Sequence, residues 1–574
     1  MKALDALSYP IRATKGLFTF CIMMELAILA ASHIVGAGGN VFLGVLLPIF
    51  DFYVICLFAS ILKKVKMGWI MWVISVAALW GELFTVLIYK STFNIRVIQL
   101  VMETNTGEAK EFLVSSCSHP GLWISVVITG IICWLSVHAY KLYDRFTIPA
   151  RKILDVFGIT MVLWSGVRQI SAYTKLTRCF TAKEYRLLAE KNYLPHLSTT
   201  FVRLLYGIAF NKVQSTELDV LTETVSNTQS VSSAHECPLI VLIIGESFSK
   251  YHTPIYVPDA LPTNPRLGRL KQDGNLIPYT DVVTTSNLTS NVMRYMFSMW
   301  DEEYNDNWTQ HTLFPAIFRK AGYSVWYLTN QFAINSSELW NSIGGTIFNK
   351  PDLSECLFDW RNEDLKQYDG ELFDLMPDTT SLFKKPTLLI VHLMGQHVNY
   401  KERYPEEFEH FKANQINNRF GGAKARQVIA EYANATLYND FVVDSIWSIV
   451  KGHDAVGIYM SDHGEEVYDW RDFHERTDEN QMSREVAKYQ FETPFMFLMS
   501  DKFITNHPEI AERIRKSSGK PFINSRIKHV LLGLGGIETD EYKPGHDILS
   551  DRYDTNNVRF IGNHTDYDLL MQEK

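Results

Sequence analysis

Few cysteines and no excess of positive charge are found in this sequence. Seven cysteines occur among 574 residues, and no Cys-x-x-Cys pair is present, which excludes a zinc ribbon and a redox dithiol. The formal net charge of −8 gives no indication of a nucleic-acid partner. The cysteines outside the strongly apolar segments, whose disulfide pairing the sequence leaves open, are Cys117, Cys179, Cys237 and Cys356.

The sequence also lacks internal repeats and low-complexity tracts, but its composition changes sharply along the chain. The N-terminal third holds several long apolar stretches, each close to the roughly 20 residues that cross a bilayer. A cleaved signal peptide explains the first of them poorly, because further stretches follow it. The five predicted spans run approximately from Gly16 to Val35, Val41 to Leu62, Met67 to Tyr89, Leu122 to Tyr140 and Ile153 to Tyr173.

Basic residues set the orientation of these spans. They precede span one and fill the loops between spans two and three and between spans four and five, whereas the other two loops hold few of them. The positive-inside rule therefore places the N terminus in the cytoplasm and the chain after span five outside. Of the acidic residues near the spans, we expect Glu25 and Glu82 to face the bundle interior or an acceptor path, and Asp51 and Asp155 to lie near water.

Three parts are predicted along the chain. Residues 1–175 form a transmembrane domain of five helices, whose loop at 91–121 lies along the membrane surface. Residues 176–236 form bridging helices and a linker, the linker being the Ser/Thr/Asn/Val-rich piece from Ser215 to Ser233. Residues 237–574 form an external domain in which strands alternate with helices, a pattern typical of an α/β fold with a largely parallel sheet.

In the external domain, several short apolar runs end in polar residues that can bind a metal. Continuous β-rich runs are typical of strands buried on both faces of a parallel sheet, and ligands bind beyond the carboxyl ends of such strands. Carboxylate oxygen and imidazole nitrogen are both good zinc ligands. One shared site is therefore indicated, although a helix cap and a turn explain each end taken alone. The polar residues at these ends include Glu246, Asn330, His397, Asp462 and His463.

A hydroxyl nucleophile is available between Asp281 and Asn291, a segment rich in Thr and Ser. A hydroxyl bound to a divalent cation loses its proton more readily and attacks phosphorus. Composition does not choose among the hydroxyls of this segment, and such runs are usually only loops. His474 stands in a run of charged residues from Arg471 to Glu479, which by itself favours a solvated loop.

Several motifs occur together in this chain: Gly245-Glu246-Ser247, a Thr289 segment that ends in Met296-Phe297-Ser298, Gly395-Gln396-His397 and Ser461-Asp462-His463-Gly464-Glu465. Further segments are Val101-Met102-Glu103-Thr104-Asn105, Tyr400-Lys401-Glu402-Arg403-Tyr404-Pro405, Leu437-Tyr438-Asn439-Asp440 and Arg559-Phe560-Ile561-Gly562-Asn563. Together they resemble the lipopolysaccharide phosphoethanolamine transferases, which include the mobile colistin-resistance enzymes that confer polymyxin resistance. That family belongs to the alkaline phosphatase and sulfatase superfamily, and the resemblance is closest to its core-oligosaccharide branch.

The resemblance implies a sulfatase-like, alkaline phosphatase-like fold for the external domain and a role for each matching residue. Glu246, Asp462 and His463 match zinc ligands, and Thr289, selected by its spacing from Met296-Phe297-Ser298, matches both a fourth ligand and the nucleophile. His397 and His474, with Glu465 nearby, match positions that hold substrate phosphate or a second zinc, which makes Glu465 and His474 catalytic candidates. Substrate-site candidates also include Thr104 and Glu108, which match positions that meet the donor headgroup near the membrane, and Asn330.

Some family features are absent from this chain. Leu100 stands where several relatives have an Asn that contacts the donor, and the paired cysteines that brace the nucleophile loop in colistin-resistance relatives are missing. Neither Cys-x-Pro-x-Arg nor Ser-x-Pro-x-Arg occurs at the nucleophile, which argues against a true sulfatase.

The resemblance implies an inner-membrane enzyme with a periplasmic catalytic domain. It would move phosphoethanolamine from phosphatidylethanolamine to lipid A or the core sugars of lipopolysaccharide through a phospho-threonine. We expect a zinc-dependent monomer in contact with membrane lipids, with one tightly bound Zn²⁺. Two alternatives stay open: a second zinc ion, and Mn²⁺ as the metal instead of zinc. The alternatives are a phosphoglycerol transferase of the same superfamily and a membrane-anchored binding or sensing protein that has lost catalysis.

Overall fold

A computed structural model describes residues 2–35, 41–89, 92, 117, 119–178, 200–301, 303–304, 306–331, 348, 350–376, 379–477 and 482–572. The chain divides into two compact units, Met1–Glu217 and Leu218–Lys574. Thr104 and Glu108, which we expect to contact the donor, lie outside the described residues, as does Leu100.

The first unit is helical. Helices Lys15–Ile34, Trp69–Tyr89, Pro120–His138 and Ile148–Ile170, and the stretch Gly44–Lys64, are long and apolar enough to cross a membrane, so the five predicted spans are confirmed. Many apolar side chains on these helices face outward, as expected of helices surrounded by lipid. The helices are α1 Lys2–Ala13, α2 Lys15–Ile34, α3 Val41–Leu46, α4 Ile49–Lys64, α5 Trp69–Tyr89, α6 Pro120–Arg145 and α7 Ile148–Arg178, followed by α8 Thr200–Ser226.

Acidic side chains lie in the interior of this bundle. Glu25 and Glu82 are both buried, as predicted, and Glu82 forms an ion pair with Arg203 of α8. Asp51, which we expected near water, is also buried, and it accepts a hydrogen bond from Tyr173. The placement of Asp51 was wrong because helix packing, which the sequence does not show, brings a tyrosine hydroxyl to it.

Helix α8 differs from the predicted linker. We expected a linker from Ser215, but the helix continues to Ser226. Leu218, Leu221 and Val225 recur at helical intervals and are buried in the main core cluster of the second unit. This burial stabilises the helical conformation of a segment whose Ser and Thr content suggested a linker. The predicted boundary at residue 237 stays a prediction.

The second unit is built around a seven-stranded sheet in the order β3-β11-β8-β2-β7-β5-β6. These strands are β2 Leu239–Gly245, β3 Leu276–Pro278, β5 Ser324–Thr329, β6 Trp360–Arg361, β7 Thr387–His392, β8 Ala455–Ser461 and β11 Phe495–Met499. Within the described part of this sheet, only β11 runs antiparallel to its neighbours, β8 and β3, so the predicted largely parallel sheet is confirmed.

The remaining elements surround this sheet. The helices are α9 Pro265–Gln272, α10 Thr289–Phe297, α11 Phe314–Lys320, α12 Pro351–Leu357, α13 Gly422–Val450, α14 Arg484–Val486, α15 Asp501–Asn506, α16 Pro508–Lys516, α17 Ile527–Leu534 and α18 Tyr567–Gln572. The short strands are β1 Ser232–Ser233, β4 Val282–Val283, β9 Glu466–Val467, β10 His474–Glu475, β12 Phe522–Ile523, β13 Ile537–Glu538, β14 Phe560–Ile561 and β15 Thr565–Asp566.

Hydrophobic cores lie on both faces of the sheet. Along β2, Ile240, Leu242 and Ile244 belong to one core, and the alternate residues Val241 and Ile243 belong to the other. Alternation follows because successive side chains of a strand point to opposite faces. A strand covered on both faces needs an unbroken apolar sequence, and this is why its polar residues are confined to its end.

Candidate active site

The carboxyl ends of neighbouring parallel strands bring the predicted metal ligands together. Strands β2 and β8 pair in register, with Gly245 opposite Ser461, so the residues that follow them are neighbours. Glu246 follows β2, and Asp462 and His463 follow β8; all three side chains are fully buried. Their ligand atoms lie within 4.8 Å of one another.

Backbone contacts orient Asp462 and His463 toward a common point. Asp462 Oδ1 accepts hydrogen bonds from the backbone N–H groups of Ser247 (3.2 Å) and His463 (2.7 Å), whereas its buried Oδ2 has no hydrogen-bond partner. His463 Nδ1 lies 2.9 Å from the Gly464 carbonyl oxygen, to which it can only donate, so the lone pair is on Nε2. Asp462 therefore presents an unpartnered oxygen, and His463 the lone pair of Nε2, to the centre of the cluster.

Thr289 completes the set from the first turn of α10. Its Oγ1 donates a hydrogen bond to Glu246 Oε2 (2.9 Å) and lies 3.3 Å from His463 Nε2. Thr289 is partly exposed, whereas the neighbouring Ser290 is buried. The positive end of the α10 dipole also favours an anion at this hydroxyl. Among the hydroxyls that the sequence left open, the geometry therefore favours Thr289 as the nucleophile.

The spacing of these atoms fits a tetrahedral zinc ion. His463 Nε2 lies 3.1 Å from Glu246 Oε1 and 3.1 Å from Asp462 Oδ2. Zinc bonds of about 2.0–2.1 Å in a tetrahedron separate neighbouring ligand atoms by about 3.3–3.4 Å, so these atoms need to move only slightly. Two carboxylates, one imidazole and one hydroxyl are ligands that zinc accepts.

The charges of the site also favour a bound divalent cation. Burial and the adjacent Glu246 carboxylate raise the pKa of Asp462 well above its usual range. Burial also opposes ionisation of Glu246, but His463, His397 and Arg476 hold the pKa of Glu246 well below its usual range. Two ionised carboxylates are costly in one buried site unless a positive charge lies between them, and a divalent cation supplies that charge.

A close backbone approach fixes the position of Glu246. Gly395, in the turn after β7, has φ +52, and a Cβ atom there would lie 2.8 Å from both the N and the O of Glu246. The next residue, Gln396, donates its backbone N–H to the Glu246 carbonyl at 2.9 Å. Only glycine fits this contact without displacement, so the Gly395 turn positions Glu246, a predicted metal ligand.

Arg476 and Gln331 belong to the site but were missed in the sequence. Arg476 Nη1 lies 3.3 Å from Glu246 Oε1 and contacts His463 Nε2, and Gln331 Nε2 donates to Glu246 Oε2 at 3.1 Å. Gln331 follows the predicted strand end at Asn330, so the position was available in the sequence. Arg476 stands in the charged run that we interpreted as a solvated loop, and no local signal distinguishes it there.

Glu465 lies between Arg476 and Tyr400. Its Oε1 accepts a hydrogen bond from Tyr400 Oη (2.7 Å), and its Oε2 lies 3.5 Å from Arg476 Nε. Burial raises the pKa of Glu465 to about 8. The structure therefore places Glu465 beside Arg476, next to the ligand cluster, where its carboxyl group can hold a proton at neutral pH.

The histidines expected to hold substrate lie around this cluster. Burial lowers the pKa of His397 to about 4, and its Nδ1 has no hydrogen-bond partner. Burial also lowers the pKa of His474, whose ring stacks on Tyr468 with centroids 5.1 Å apart. Both imidazoles are thus held neutral at pH 7, the form that accepts a proton.

Asn330 is engaged in supporting the site. Its Nδ2 donates to Asp369 Oδ1 (2.9 Å), and its Oδ1 accepts from the Lys366 N–H (2.7 Å). Asp369 in turn accepts from the backbone N–H groups of Met394 and Gly395. Asn330 therefore braces the Gly395 turn, and its predicted contact with substrate stays a prediction.

A second buried cluster, Asp301 with His529 and His546, also has potential metal ligands. His529 Nδ1 accepts a hydrogen bond from the Lys543 N–H (3.2 Å), so its Nε2 carries the proton and faces Asp301 Oδ2 at 3.3 Å. Lys528 and Lys543 each place Nζ 3.0 Å from Asp301. These cations already balance the carboxylate, which disfavours a metal ion.

Comparisons with known proteins identify relatives of this chain. The protein-family model described as Sulfatase matches residues 238–519. A phosphoethanolamine transferase EptC of Escherichia coli O18:K1:H7 is 26% identical over 536 residues, which is 88% of this chain and 87% of the relative. A Kdo(2)-lipid A phosphoethanolamine 7''-transferase of Escherichia coli K12 is 26% identical over 428 residues, or 71% of each chain.

One solved structure resembles nearly the whole chain. It is the integral membrane lipooligosaccharide phosphoethanolamine transferase A (EptA) from Neisseria meningitidis, with a TM-score of 0.57 and 17% identity, covering 95% of this chain and 98% of that one. At this identity the likeness shows the fold, namely a helical N-terminal unit followed by a sulfatase-like domain. The sequence relatives and the Sulfatase match together support a lipopolysaccharide phosphoethanolamine transferase.

Proposed function

We propose that this protein transfers phosphoethanolamine from phosphatidylethanolamine to lipid A or the core oligosaccharide of lipopolysaccharide, through a covalent phosphoethanolamine-Thr289 intermediate. It acts in the bacterial inner membrane, with its catalytic domain in the periplasm. Relatives that match most of this chain are named phosphoethanolamine transferases. The single observation that carries the mechanism is the position of Thr289 Oγ1, 2.9 Å from Glu246 Oε2 and 3.3 Å from His463 Nε2.

Zinc is the metal that this proposal assigns to the site. Glu246, Asp462, His463 and Thr289 would hold it, and when bound it would lower the pKa of the Thr289 hydroxyl and balance negative charge on phosphate oxygens. The orphaned Asp462 Oδ2 and the Nε2 lone pair of His463 support this assignment. We propose one such ion; a second ion near His397 and His474 is not needed for the steps below.

In the first step, Thr289 attacks the donor. The hydroxyl gives up its proton, Oγ1 forms a bond to phosphorus, and the bond between phosphorus and the glycerol oxygen breaks. Diacylglycerol leaves and takes up a proton. The N terminus of α10 orients Oγ1 and favours the added negative charge. The Arg476 guanidinium is the residue of this chain best placed to contact the phosphate oxygens, since it already lies beside Glu246 and His463.

In the second step, the acceptor takes the phosphoethanolamine group. An acceptor oxygen attacks phosphorus, the bond to Thr289 Oγ1 breaks, and the threonine recovers its proton. His397 and His474 are neutral near pH 7 and can accept the proton of an acceptor hydroxyl, and Glu465 can hold one. Two steps suit this site because the diacyl donor and the bulky glycolipid acceptor then occupy it in turn.

The test is mass spectrometry of the full-length enzyme after incubation with phosphatidylethanolamine and no acceptor. Phosphoethanolamine should be found on the peptide that contains Thr289, and Thr289→Ala should carry none. Ser290→Ala is the matched control, because this neighbouring hydroxyl is buried and should leave the adduct unchanged.

Each outcome decides between mechanisms. An adduct on Ser290 or Thr285 would move the nucleophile, and an active enzyme with no adduct on any residue would favour direct transfer. If added lipopolysaccharide does not discharge the adduct, the proposed acceptor is wrong. Mass spectrometry of lipopolysaccharide from cells with and without the gene would then locate the group on a lipid A phosphate, a heptose or another sugar.

A further inference from the structure

A cavity of about 530 Å³ lies within the transmembrane unit, at the ends of the helices that the positive-inside rule places in the cytoplasm. It is lined by the α1–α2 junction, the C terminus of α4, the N terminus of α5 and Val137 of α6. No acidic side chain is found among the lining residues that the structure describes. The basic residues among them are Arg12, Lys15, Lys63 and Lys66.

Internal contacts compensate this charge only in part. Arg12 hydrogen-bonds to Asp5 and lies 3.8 Å from Asp155, so acids outside the cavity balance its charge. Lys63 Nζ donates to the Ala13 carbonyl at 3.1 Å, which satisfies a donor but leaves its charge. The charges of Lys63 and Lys66 therefore give the cavity a positive potential that suits an anion.

Lys66 occupies a backbone position where glycine is the relaxed choice. It follows the C terminus of α4 with φ +60, and the Met67 N–H bonds back to the Leu62 carbonyl at 2.9 Å. A helix that ends in this way usually has Gly at the left-handed residue, because other residues lose about 1–2 kcal/mol there. A lysine at this strained position points to a use for its charge.

Aromatic side chains also line this cavity. Trp69 is 62% exposed, and Trp72 lies one helical turn further along α5. Gly16 lines the cavity beside Trp72, and a Cβ atom at Gly16 would lie 3.3 Å from Trp72 Cζ2. Tryptophan is favoured at the depth of lipid headgroups and glycerol. The lining thus changes from basic to aromatic side chains. Basic side chains suit an anionic lipid headgroup, and aromatic side chains suit the glycerol region attached to it.

We propose that this cavity binds the phosphate group of an anionic phospholipid of the cytoplasmic leaflet. Basic pockets between transmembrane helices on the cytoplasmic side suit such headgroups. Membrane orientation alone requires basic residues in the loop but does not require that they line a cavity. Lys64 illustrates the difference, since it lies at the C terminus of α4 beside Lys63 and is not among the lining residues.

The test compares lipid binding to the full chain in neutral detergent by native mass spectrometry. Phosphatidylglycerol should bind more tightly than phosphatidylcholine, and Lys66→Gly should weaken phosphatidylglycerol binding about fivefold, the contribution of one basic residue. Lys63→Gln combined with Lys66→Gly should weaken it about thirtyfold. Lys64→Gln, which removes the same charge outside the cavity, should leave binding unchanged. Because glycine relieves the positive φ, Lys66→Gly should not lower the unfolding temperature.

Inorganic phosphate distinguishes the source of the anion. If millimolar phosphate displaces phosphatidylglycerol, the cavity recognises the phosphate group alone. If it does not, the cavity recognises the phosphate group together with the rest of the lipid. Both results support a phosphate site. Equal binding of the two lipids by the unmodified chain would overturn the proposal. Equal weakening by Lys64→Gln and Lys66→Gly would also overturn it, because diffuse surface charge would then explain the binding.

Discussion

Replacing Gly395 by alanine should disturb the active site through the backbone of Glu246. An alanine at φ +52 loses about 1 kcal/mol because its Cβ crowds the left-handed conformation. The same Cβ would lie 2.8 Å from the N and the O of Glu246, which strand β2 holds in place. Overpacking of this kind typically destabilises a protein by about 1–3 kcal/mol. The total expected loss for Gly395→Ala is therefore about 2–4 kcal/mol.

Gly422→Ala separates the two contributions. Gly422 has φ +61, and nothing lies within 4 Å of a Cβ atom built on it, so alanine there meets the conformational strain without the close contact. Its expected loss is about 1 kcal/mol. The difference between the two variants measures the approach of the Gly395 turn to Glu246.

Thermal unfolding of the full chain in detergent, together with zinc content and transfer activity, would measure this difference. Gly395→Ala should unfold at a lower temperature than Gly422→Ala. It should also bind zinc about 10–100-fold more weakly, as is typical when the support of a metal ligand is disturbed. Equal unfolding temperatures and full zinc content in both variants would refute the argument that this glycine positions Glu246.

The remaining predictions concern the metal, pH and topology. Glu246→Ala or His463→Ala should lose most of the zinc in elemental analysis, and equal zinc in these variants would show that the ligands are wrongly assigned. Burial lowers the pKa of His529 from 6.5 to about 4, so the unfolded chain binds its proton first as the pH falls and the folded state loses stability between these values. His529→Gln should therefore reduce the loss of stability between pH 7 and 5 by about 1–2 kcal/mol, and an unchanged pH dependence of unfolding would contradict this. Reporter fusions after Tyr140 should report the cytoplasm and those after Ser233 the periplasm, and a cytoplasmic signal after Ser233 would reverse the topology.

Local composition was enough to predict the spans and the edge of the sheet. Apolar stretches long enough to cross a bilayer are visible in any window of the sequence, and they appear as the five spanning helices. A strand buried on both faces excludes polar residues along its length, so the first polar residues after it mark the ligand edge. This is why Glu246, Asp462 and His463 stood out, although their roles as zinc ligands stay a prediction.

Other features depend on residues that are distant in the sequence. Arg476 approaches Glu246 across 230 positions, and nothing in its charged neighbourhood distinguishes it from a solvated arginine. The segment up to Ser226 is helical because Leu218, Leu221 and Val225 reach a core, which outweighs its local composition.

The sequence by itself determined the membrane spans, the α/β domain and the strand ends that carry the metal-binding chemistry, because these depend on the solvent each segment prefers. Only the tertiary structure decided which hydroxyl faces the predicted metal ligands, which amide braces the Gly395 turn and which arginine joins the site. Those choices are made by distances of about 3 Å between atoms on separate elements. No local pattern encodes such distances, because each one is fixed by the packing of the sheet and the helices around it.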